Sequence, residues 1–567
     1  MLSKKIKPTD LLLILLFSFL IFYLISYLNP LDNKFFDYHD NTQPARIKEF
    51  FLNLKNLKIP PRIAPNFYFG YSYPVFSFYA PATYWLASLP QFLGADPASA
   101  TEVSFAVLVL TAFWGMYKLS RSFFGKAESF LSASVYITSP YIAVEIFIRG
   151  NLGELGVWAT LPWSLWALRK KRFTSAVLFT SFLLTSHNIL SLTILPFIIL
   201  WAFLQYKKTS SAIPILSLVF SLLISLYFLL PALLEQKYIW AKEIASRTNY
   251  KDHFLCLSQL WNSQGWYFGG SIPGCQDTMS FKLGKLQILI FLAGIIFFFL
   301  NLAKKKVKTN LEPLLILALG IIAVFFTLDL SASIWKKLEI WIKVFQFPWR
   351  FLILSIFSLA FFSSYLVENL RKTPLIQILL TIFLVLSLFF INKKYFFKPL
   401  QDKDKFFSRY LSEDYINFVV VANIPEYLSR ETNYQKVLSY LQDLKKEFKE
   451  KGEISNKQDI FFISSKNIKK TSSSKNPFLK KAEVKIPNRQ KITLGLHYPQ
   501  QWEIKVNNSL IIPEKFDDFG RILLELDQGE YLIQAEYRQT KLQITASLIS
   551  FFSFLLLIAL KILKYRK

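Results

Sequence analysis

The sequence predicts an α-helical polytopic membrane protein with about twelve transmembrane helices and a C-terminal α+β domain outside the cytoplasm. The first observation behind this is a series of apolar runs of about 20 residues, the length with which a helix crosses the roughly 30 Å hydrocarbon layer. The second is that short clusters of lysine and arginine fall at every second boundary between these runs, as cytoplasmic loops do. The third is composition, since hydrophobic residues make up 53% of the 567 residues.

The apolar runs and the basic clusters together predict the topology. The first run, Leu11 to Leu28, follows Lys4, Lys5 and Lys7, so the N-terminus is expected to stay in the cytoplasm. The predicted spans are 10–28, 102–120, 127–143, 153–168, 173–188, 190–206, 212–232, 284–302, 311–329, 349–368, 375–391 and 543–562. The clusters expected inside are Arg121 to Lys126, Arg169 to Arg172, Lys207 and Lys208, Lys304 to Lys308, Arg371 and Lys372, and Lys564 to Lys567. Both termini are therefore predicted to be cytoplasmic, in a multi-pass protein of the plasma membrane.

The formal net charge of +28 would also fit a protein that binds nucleic acid. Many of the lysines, however, flank the predicted membrane helices on the cytoplasmic side, and many others lie in one polar block near the C-terminus. The sequence contains no nucleotide-binding glycine loop and no zinc-finger spacing. The predicted partner is therefore the lipid bilayer, and no nucleic acid is expected.

Three segments on the outward side are too long to be turns: 29–101, 233–283 and 392–542. The third segment follows a multi-spanning membrane domain, residues 1–391, and precedes a last transmembrane helix with a cytoplasmic tail, residues 543–567. Its length and mixed composition predict an extracytoplasmic domain.

That domain shows both helical and strand patterns. Residues 411–450 carry apolar side chains at helical spacing, whereas the strings KITLGLHY and YLIQAEYR alternate as strands do. Turn signals stand at Asn507–Asn508 and Asp527–Gln528–Gly529. The Ser/Lys/Asn-rich stretch 464–477 is predicted to be a flexible loop. The pattern therefore indicates an α+β domain.

Both cysteines of the chain, Cys256 and Cys275, fall in the same outward loop. Outside the reducing cytoplasm a disulfide between them would close a loop of about 20 residues and stabilise the fold by about 3 kcal/mol. Two unpaired thiols are the alternative.

The first outward loop is expected to lie on the membrane surface or to re-enter it, because its Pro/Gly/Tyr-rich run, 59–85, suits aromatic side chains at headgroup level.

Polar residues that could carry chemistry cluster at the predicted outer face. The first loop holds His39, Asp40, Arg46 and Arg62; the string EIFIRGNLGE adds Arg149 and Glu154; His187 and Arg350 stand at the outer ends of two further helices. The chain has only 15 arginines against 51 lysines, yet arginine occupies all four cationic positions of this set. A guanidinium group binds phosphate through two parallel hydrogen bonds, whereas an ammonium group is a point charge. The set therefore predicts a site for a lipid phosphate with a carboxylate as general base, although snorkelling or helix capping explains any single arginine equally well.

Several strings resemble one family of bacterial and archaeal membrane proteins. They are HDNTQPARI, PPRIAPNFYFGYSYPVFSFYAP, IRGNLGE, TSHN, LLPALLEQKYIW, QLWNSQGWYFGG and FQFPWRFL. They are similar to the family labelled 6-pyruvoyl-tetrahydropterin-synthase-related, and HYPQQWEIKVNN and DQGEYLIQAEYRQT resemble the outer domain of multi-spanning proteins that glycosylate cell-wall polymers. Pterin chemistry is not expected, because the four histidines of this chain lack the spacing of a zinc site.

The resemblance implies a C-type glycosyltransferase fold, with a catalytic acid in the first outward loop and a polyprenyl-phosphate sugar as donor. In this chain Asp40 matches the acid, with Glu154 as the second candidate; Arg149 and Arg350 are assigned to the phosphate, supported by His39, Arg46, Arg62 and His187. The acceptor would be a glycan or protein of the cell envelope. No metal site is predicted and no cofactor is required, although a divalent cation could assist.

Two other functions remain open at this stage. A non-enzymatic transporter or scaffold for envelope lipid or polymer would also need many crossings, and it should show inverted repeats and helices broken near the midplane. A degenerate glycosyltransferase could serve as a partner subunit, in which case its outer carboxylates would be dispensable.

Overall fold

The computed structural model describes residues 8–245, 249–267, 269–304, 311–339, 345–397, 400–455, 463–464, 469–473 and 476–566. Three of the basic clusters used for the topology lie partly or wholly outside these residues: Lys4, Lys5 and Lys7; the part of Lys304 to Lys308 that follows Lys304; and Lys567.

The first part of the chain is built almost entirely of helices. They are α1 (Pro8–Ile25), α2 (Gln43–Lys55), α3 (Val75–Phe78), α4 (Ala82–Phe92), α5 (Pro97–Arg121), α6 (Lys126–Ile137), α7 (Pro140–Val144), α8 (Leu152–Arg169), α9 (Phe173–Leu184), α10 (Asn188–Thr209), α11 (Ile213–Leu234), α12 (Ala241–Ala245), α13 (Leu257–Asn262), α14 (Lys285–Ala303), α15 (Leu311–Thr327), α16 (Ala332–Lys337), α17 (Leu352–Glu368) and α18 (Pro374–Asn392). A π-helical turn, Glu145–Arg149, follows α7.

The second part combines helices and strands. Its helices are α19 (Lys403–Tyr410), α20 (Val420–Asn423), α21 (Tyr434–Lys451) and α22 (Lys541–Arg566). The strands of the whole chain are β1 (Lys34–Phe36), β2 (Ser271–Ile272), β3 (Gln276–Asp277), β4 (Leu400–Asp402), β5 (Ile463–Ser464), β6 (Lys469–Ser473), β7 (Leu479–Ile486), β8 (Gln490–Leu494), β9 (Trp502–Val506), β10 (Ser509–Ile511), β11 (Ile522–Leu526) and β12 (Gly529–Tyr537).

Among the described residues, eight helices are long and apolar enough to cross a membrane: α1, α5, α10, α11, α14, α17, α18 and α22, of which α11, α17 and α18 include flanking turns and α22 ends at Leu563. The protein is therefore a multi-spanning helical membrane protein. Eleven of the twelve predicted spans overlap a single helix, but α9 and α15 are shorter apolar helices and α8 is not among the eight. The predicted span 127–143 is a bent pair of helices, with a 44° angle between its halves. Pro140 explains the break, because proline lacks the N–H that would continue the preceding helix.

Helix α17 lies inside the bundle, since 83% of an 18-residue stretch within Pro348–Glu368 is buried. It packs closely on α14, where a Cβ added to Gly294 would lie only 2.1 Å from the carbonyl oxygen of Phe362. Small residues permit this approach of two helix backbones, which is how helices associate in a bilayer that offers no hydrophobic driving force. The burial fixes the N-terminal end of α17, where Arg350 stands in the preceding 3-10 turn, Pro348–Phe351.

The C-terminal strands form two antiparallel sheets, with strand orders β10–β9–β12–β7–β6 and β11–β8–β5. Alternate residues face inward, so that Ile492 and Leu494 of β8 pack with Ile504 and Ile533 of the other sheet. The predicted turn at Asn507–Asn508 joins β9 and β10, and both residues have positive φ, as a two-residue hairpin requires.

The prediction of a flexible loop over 464–477 is wrong for Lys469–Ser473, which form β6 and pair with β7. Strand β6 is the edge of its sheet, and an edge strand can carry a Ser/Lys-rich sequence because one side of its backbone faces water. The rest of that stretch is described only at Ser464 and from Asn476 onward.

Residues 29–101, predicted to be the first outward loop, pack against the C-terminal domain. Strand β1 pairs with β4, and the ring of Tyr68 packs 4.6 Å from that of His497, whose backbone N–H donates to the carbonyl oxygen of Tyr71 at 2.8 Å. Tyr68, Phe69, Tyr71 and Tyr73 are at most 1% exposed. The C-terminal domain therefore covers these four side chains, and the surface-lying or re-entrant placement of the run stays a prediction.

The predicted disulfide is confirmed: Cys256 and Cys275 are bonded, with their Cα atoms 5.4 Å apart. It closes the loop between α11 and α14 over the short β2–β3 hairpin. The carboxylate of Asp277 organises the same loop, since it accepts hydrogen bonds from Ser263 and from the backbone N–H of Gly265.

Candidate active site

Asp40 stands between β1 and α2, and the chain around it is held by backbone hydrogen bonds. Its N–H donates to the carbonyl oxygen of Arg149 at 3.0 Å, and the N–H of His39 donates to that of Ile148 at 2.8 Å. The carboxylate accepts hydrogen bonds from Thr42 and Gln43 at the start of α2. It remains 24% exposed, so a molecule can reach it from outside the protein.

Arg46, one turn further along α2, orients the carboxylate of Asp40. Its two terminal nitrogens lie 3.3 and 3.2 Å from the two oxygens of Asp40, which is a two-pronged ion pair. Arg46 also donates to the hydroxyl of Tyr84 at 3.2 Å and lies 4.7 Å above the ring of Tyr79. Burial alone would lower the pKa of Arg46, but the charge of Asp40 and the contact with Tyr84 outweigh it and raise the pKa well above its usual value.

Glu154 is the centre of a second, deeper cluster. It lies in the first turn of α8, where Asn151 accepts a hydrogen bond from its backbone N–H at 3.1 Å and donates to its carboxylate at 3.0 Å. Arg149 holds both carboxylate oxygens, at 2.9 and 2.8 Å, and the Nε of Arg350 donates to one of them at 3.1 Å. The side chain of Glu154 is fully buried.

His187 faces the same carboxylate, with its Nε2 3.7 Å from Glu154 Oε1. It also caps helix α10, because its Nδ1 accepts a hydrogen bond from the N–H of Leu190 at 3.0 Å. Since Nδ1 is the acceptor, we assign the proton of the neutral ring to Nε2, which points at Glu154.

Arg149 connects the two clusters. Its backbone oxygen binds Asp40, while its side chain lies between Glu154 and a second buried carboxylate, Glu145. The next residue, Gly150, has a φ of +66°, and an added Cβ would lie 2.1 Å from the ring of Tyr38, so only glycine fits there. The ring of Trp349 supports the guanidinium group of Arg149 at 4.6 Å.

The structure thus brings together most of the residues that the sequence singled out: Asp40, Arg46, Arg149, Glu154, His187 and Arg350, with His39 beside Asp40. Arg62 lies elsewhere. Its guanidinium group donates to the carbonyl oxygen of Tyr227 on α11 and to the hydroxyl of Ser547 on α22. No group of three or more His, Cys, Asp or Glu side chains in the described part of the chain has the geometry of a metal site.

Sequence reasoning missed Glu426, which the C-terminal domain places within electrostatic range of Asp40 and Arg46. Burial raises the pKa of Glu426 to about 7, the backbone and Arg46 lower it, and Asp40 raises it. Its string, NIPEYL, has no polar pattern that would mark it, and only the folded chain brings it beside the first loop.

The raised pKa of Glu426 predicts a pH effect on stability. Between its ordinary pKa of 4.5 and about 7, the folded protein binds more protons at this group than the unfolded chain does. The free energy of unfolding contributed by this group must therefore fall as the pH rises through this window and stay low above it. We expect Glu426→Gln to raise the thermal midpoint above pH 7 and to change it little near pH 4.5. The exposed Glu431→Gln is the control, and a midpoint difference that is equal at both pH values would contradict the assignment.

No protein-family model matches the sequence, and no curated protein matches it. Among solved structures, arabinofuranosyltransferase AftD from Mycobacteria is similar with a TM-score of 0.40 and 12% identity, over 69% of this chain and 27% of that one. The Archaeoglobus fulgidus oligosaccharyltransferase in its apo form gives 0.40 and 12%, over 68% and 55%. ArnT from Cupriavidus metallidurans, bound to undecaprenyl phosphate, gives 0.38 and 12%, over 78% and 76%.

This chain therefore spans about a quarter of the length of AftD and about half of that of the oligosaccharyltransferase. The family labelled 6-pyruvoyl-tetrahydropterin-synthase-related, which the sequence resembles, stays a prediction, because no family model matches. The similarity to these structures is low and does not show the function of this chain.

Proposed function

We propose that this protein is a membrane glycosyltransferase that moves a sugar from a polyprenyl-phosphate donor to an acceptor of the cell envelope. The observation that carries the proposal is an accessible carboxylate beside a deeper cluster in which two arginines are paired with two buried carboxylates. Asp40 is 24% exposed, whereas Glu154 and Glu145 are fully buried, and Arg149 joins the two levels. The sequence resembles C-type glycosyltransferases, and that resemblance implies a catalytic acid in the first outward loop and a polyprenyl-phosphate sugar as donor.

The reaction would be a single displacement at the anomeric carbon. The oxygen of an acceptor hydroxyl forms the new bond, the bond from the anomeric carbon to the phosphate oxygen breaks, and its electron pair leaves with the lipid phosphate. Asp40 takes the hydroxyl proton as general base, with the acceptor hydroxyl replacing one of its present donors on the exposed side. The configuration at the anomeric carbon is inverted.

The departing phosphate needs positive charge nearby. The side chain of Arg149 forms ion pairs with Glu145 and Glu154. Arg350 donates a hydrogen bond from its Nε to Glu154, and one of its terminal nitrogens donates to the carbonyl oxygen of Phe345 at 3.2 Å. The other terminal nitrogen of Arg350 has no hydrogen-bond partner among the described residues. We assign this nitrogen to the phosphate, and Glu154 to positioning the two arginines.

The orientation in the membrane follows from the same proposal. The candidate site lies against residues of the C-terminal domain, such as Tyr415, whose hydroxyl donates to the side chain of Asn41 at 2.5 Å. We place residues 392–542 and the site on the outer face of the plasma membrane and both termini in the cytoplasm, in agreement with the basic clusters of the sequence.

Reconstitution tests the function. The purified protein in liposomes is given a panel of polyprenyl-phosphate sugars and a cell-envelope extract as acceptor, and released polyprenyl phosphate is measured. We expect one donor to be consumed in proportion to enzyme. Release at the same rate with Asp40→Asn protein would show that the activity comes from a contaminant or that the mechanism is wrong.

Replacing Arg350 by lysine tests the phosphate contact. The variant keeps the charge but loses the planar fork, so we expect turnover to fall by about tenfold, with the thermal midpoint nearly unchanged. Arg371→Lys is the matched control, since Arg371 pairs with Glu128 at the opposite end of α17. Equal turnover in the Arg350 variant and the control would exclude Arg350 from phosphate binding.

A further inference from the structure

A large apolar groove lies on the side of the membrane domain. Its volume is about 1090 Å³, and its walls come from α9, α11 and α22. Leu178, Leu548 and Phe551 line it and are 44%, 49% and 55% exposed, so it opens toward the surface that faces the hydrocarbon of the bilayer. A ligand would therefore enter from the membrane and not from water.

The end of the groove next to the C-terminal domain is polar and carries positive charge. Lys58 and Arg538 line this end. Arg538 is paired with two carboxylates, those of Glu503 and Glu536. Lys58 lies over the rings of Phe478 and Tyr537, and no described carboxylate lies within ion-pair distance of it. Lys58 is therefore the cation at this end that is free to meet a ligand.

Arg62 adds a second positive charge behind the wall. Its guanidinium group binds the backbone oxygen of Tyr227 at 2.6 Å and the hydroxyl of Ser547 at 3.2 Å, and both of these residues line the groove. Arg62 is 1% exposed, its Nε has no hydrogen-bond partner, and no described carboxylate forms an ion pair with it. A buried, unpaired guanidinium group is costly, and an anion in the groove would reduce that cost.

The depth of the groove limits the length of its ligand. Its wall on α22 reaches Phe554, thirteen residues below Lys541, which corresponds to about 20 Å along a helix. The hydrocarbon layer is roughly 30 Å thick, so the groove extends through little more than one leaflet. That depth suits the acyl chains of a bilayer lipid and is too short for the full length of a long polyprenyl chain.

We propose that this groove is a binding site for an anionic glycerophospholipid of the bilayer, with the acyl chains along α9, α11 and α22 and the phosphate at Lys58, supported by Arg62. The inference does not depend on the proposed glycosyl transfer, because it rests on a different set of residues and its test measures binding alone.

The test is retention of defined lipids by the full-length protein. Delipidated protein in detergent is incubated with equal amounts of phosphatidylglycerol and phosphatidylcholine, and bound lipid is counted by native mass spectrometry. We expect phosphatidylglycerol to be retained about fivefold better, the effect of one lysine at an anionic headgroup, and Lys58→Gln to remove this preference. Leu548→Trp should abolish retention of both lipids, because the indole fills the groove.

Two matched variants serve as controls. Lys55→Gln removes a lysine three residues away that does not line the groove, and Ile549→Trp adds the same bulk on the neighbouring face of α22. Both should bind as the wild type does. Equal retention of the two lipids by the wild type, or unchanged retention by Leu548→Trp, would overturn the site. Displacement of phosphatidylglycerol from the wild type by equimolar undecaprenyl phosphate would overturn the phospholipid assignment and make the groove a polyprenyl site.

Discussion

Asp40→Asn is expected to lower turnover by about a hundredfold or more, because the amide keeps the shape of the carboxylate but cannot accept the acceptor's proton. The substitution also leaves Arg46 without its carboxylate partner, although Arg46 keeps its contacts with Tyr84 and Tyr79. Turnover must therefore be expressed per folded protein, with the thermal midpoint measured on the same sample.

Asp40→Glu tests whether a displaced carboxylate can still serve as the base. It restores a carboxylate to Arg46 in a displaced position, so part of the turnover should return. If Asp40→Asn transfers sugar at the wild-type rate, Glu154 becomes the first candidate for the base. If Asp40→Asn and Glu154→Gln are both fully active, the proposed glycosyltransferase mechanism is wrong.

Glu154→Ala should have the largest effect on stability. The fully buried carboxylate compensates Arg149 and Arg350, and its removal leaves Arg350 without a described carboxylate partner. Breaking a buried ion pair by removing one member typically costs about 3–5 kcal/mol of unfolding free energy. Chemical denaturation in detergent measures that loss.

The double variant Glu154→Ala/Arg350→Met is the control for this interpretation. Removing both members of the pair takes away the uncompensated charge, so it should recover part of the stability that Glu154→Ala loses. Additive losses in the double variant would show that the two side chains do not stabilise the fold as a pair.

The positions of the helices could be predicted because each apolar run must satisfy its own backbone in lipid. The grouping of Arg149, Glu154, His187 and Arg350 followed from the same reasoning, since each stands at an outer helix end in the predicted topology. The bend at Pro140 could have been predicted from the proline, but a search for apolar runs does not detect a bend.

Contacts between distant segments could not be predicted. The aromatic run around Tyr68 looked suited to the membrane surface because nothing in its own sequence shows that a domain more than three hundred residues later covers it. Arg62 was grouped with the other arginines because it lies in the same predicted outward loop as Arg46, yet that loop carries it to α11 and α22. Strand β6 was missed because an edge strand can be as polar as a loop.

The geometry of the candidate site depends on the number of residues in the π-helical turn Glu145–Arg149. A π turn is an α-helix with one residue inserted, and successive α-helical residues are about 100° apart around the axis. Loss of a single codon here would turn Arg149 away from Glu154 and withdraw its carbonyl oxygen from Asp40, while the surrounding helices could keep their places. A gene lineage could thus gain or lose the arrangement of both clusters in one insertion or deletion, without passing through a new fold.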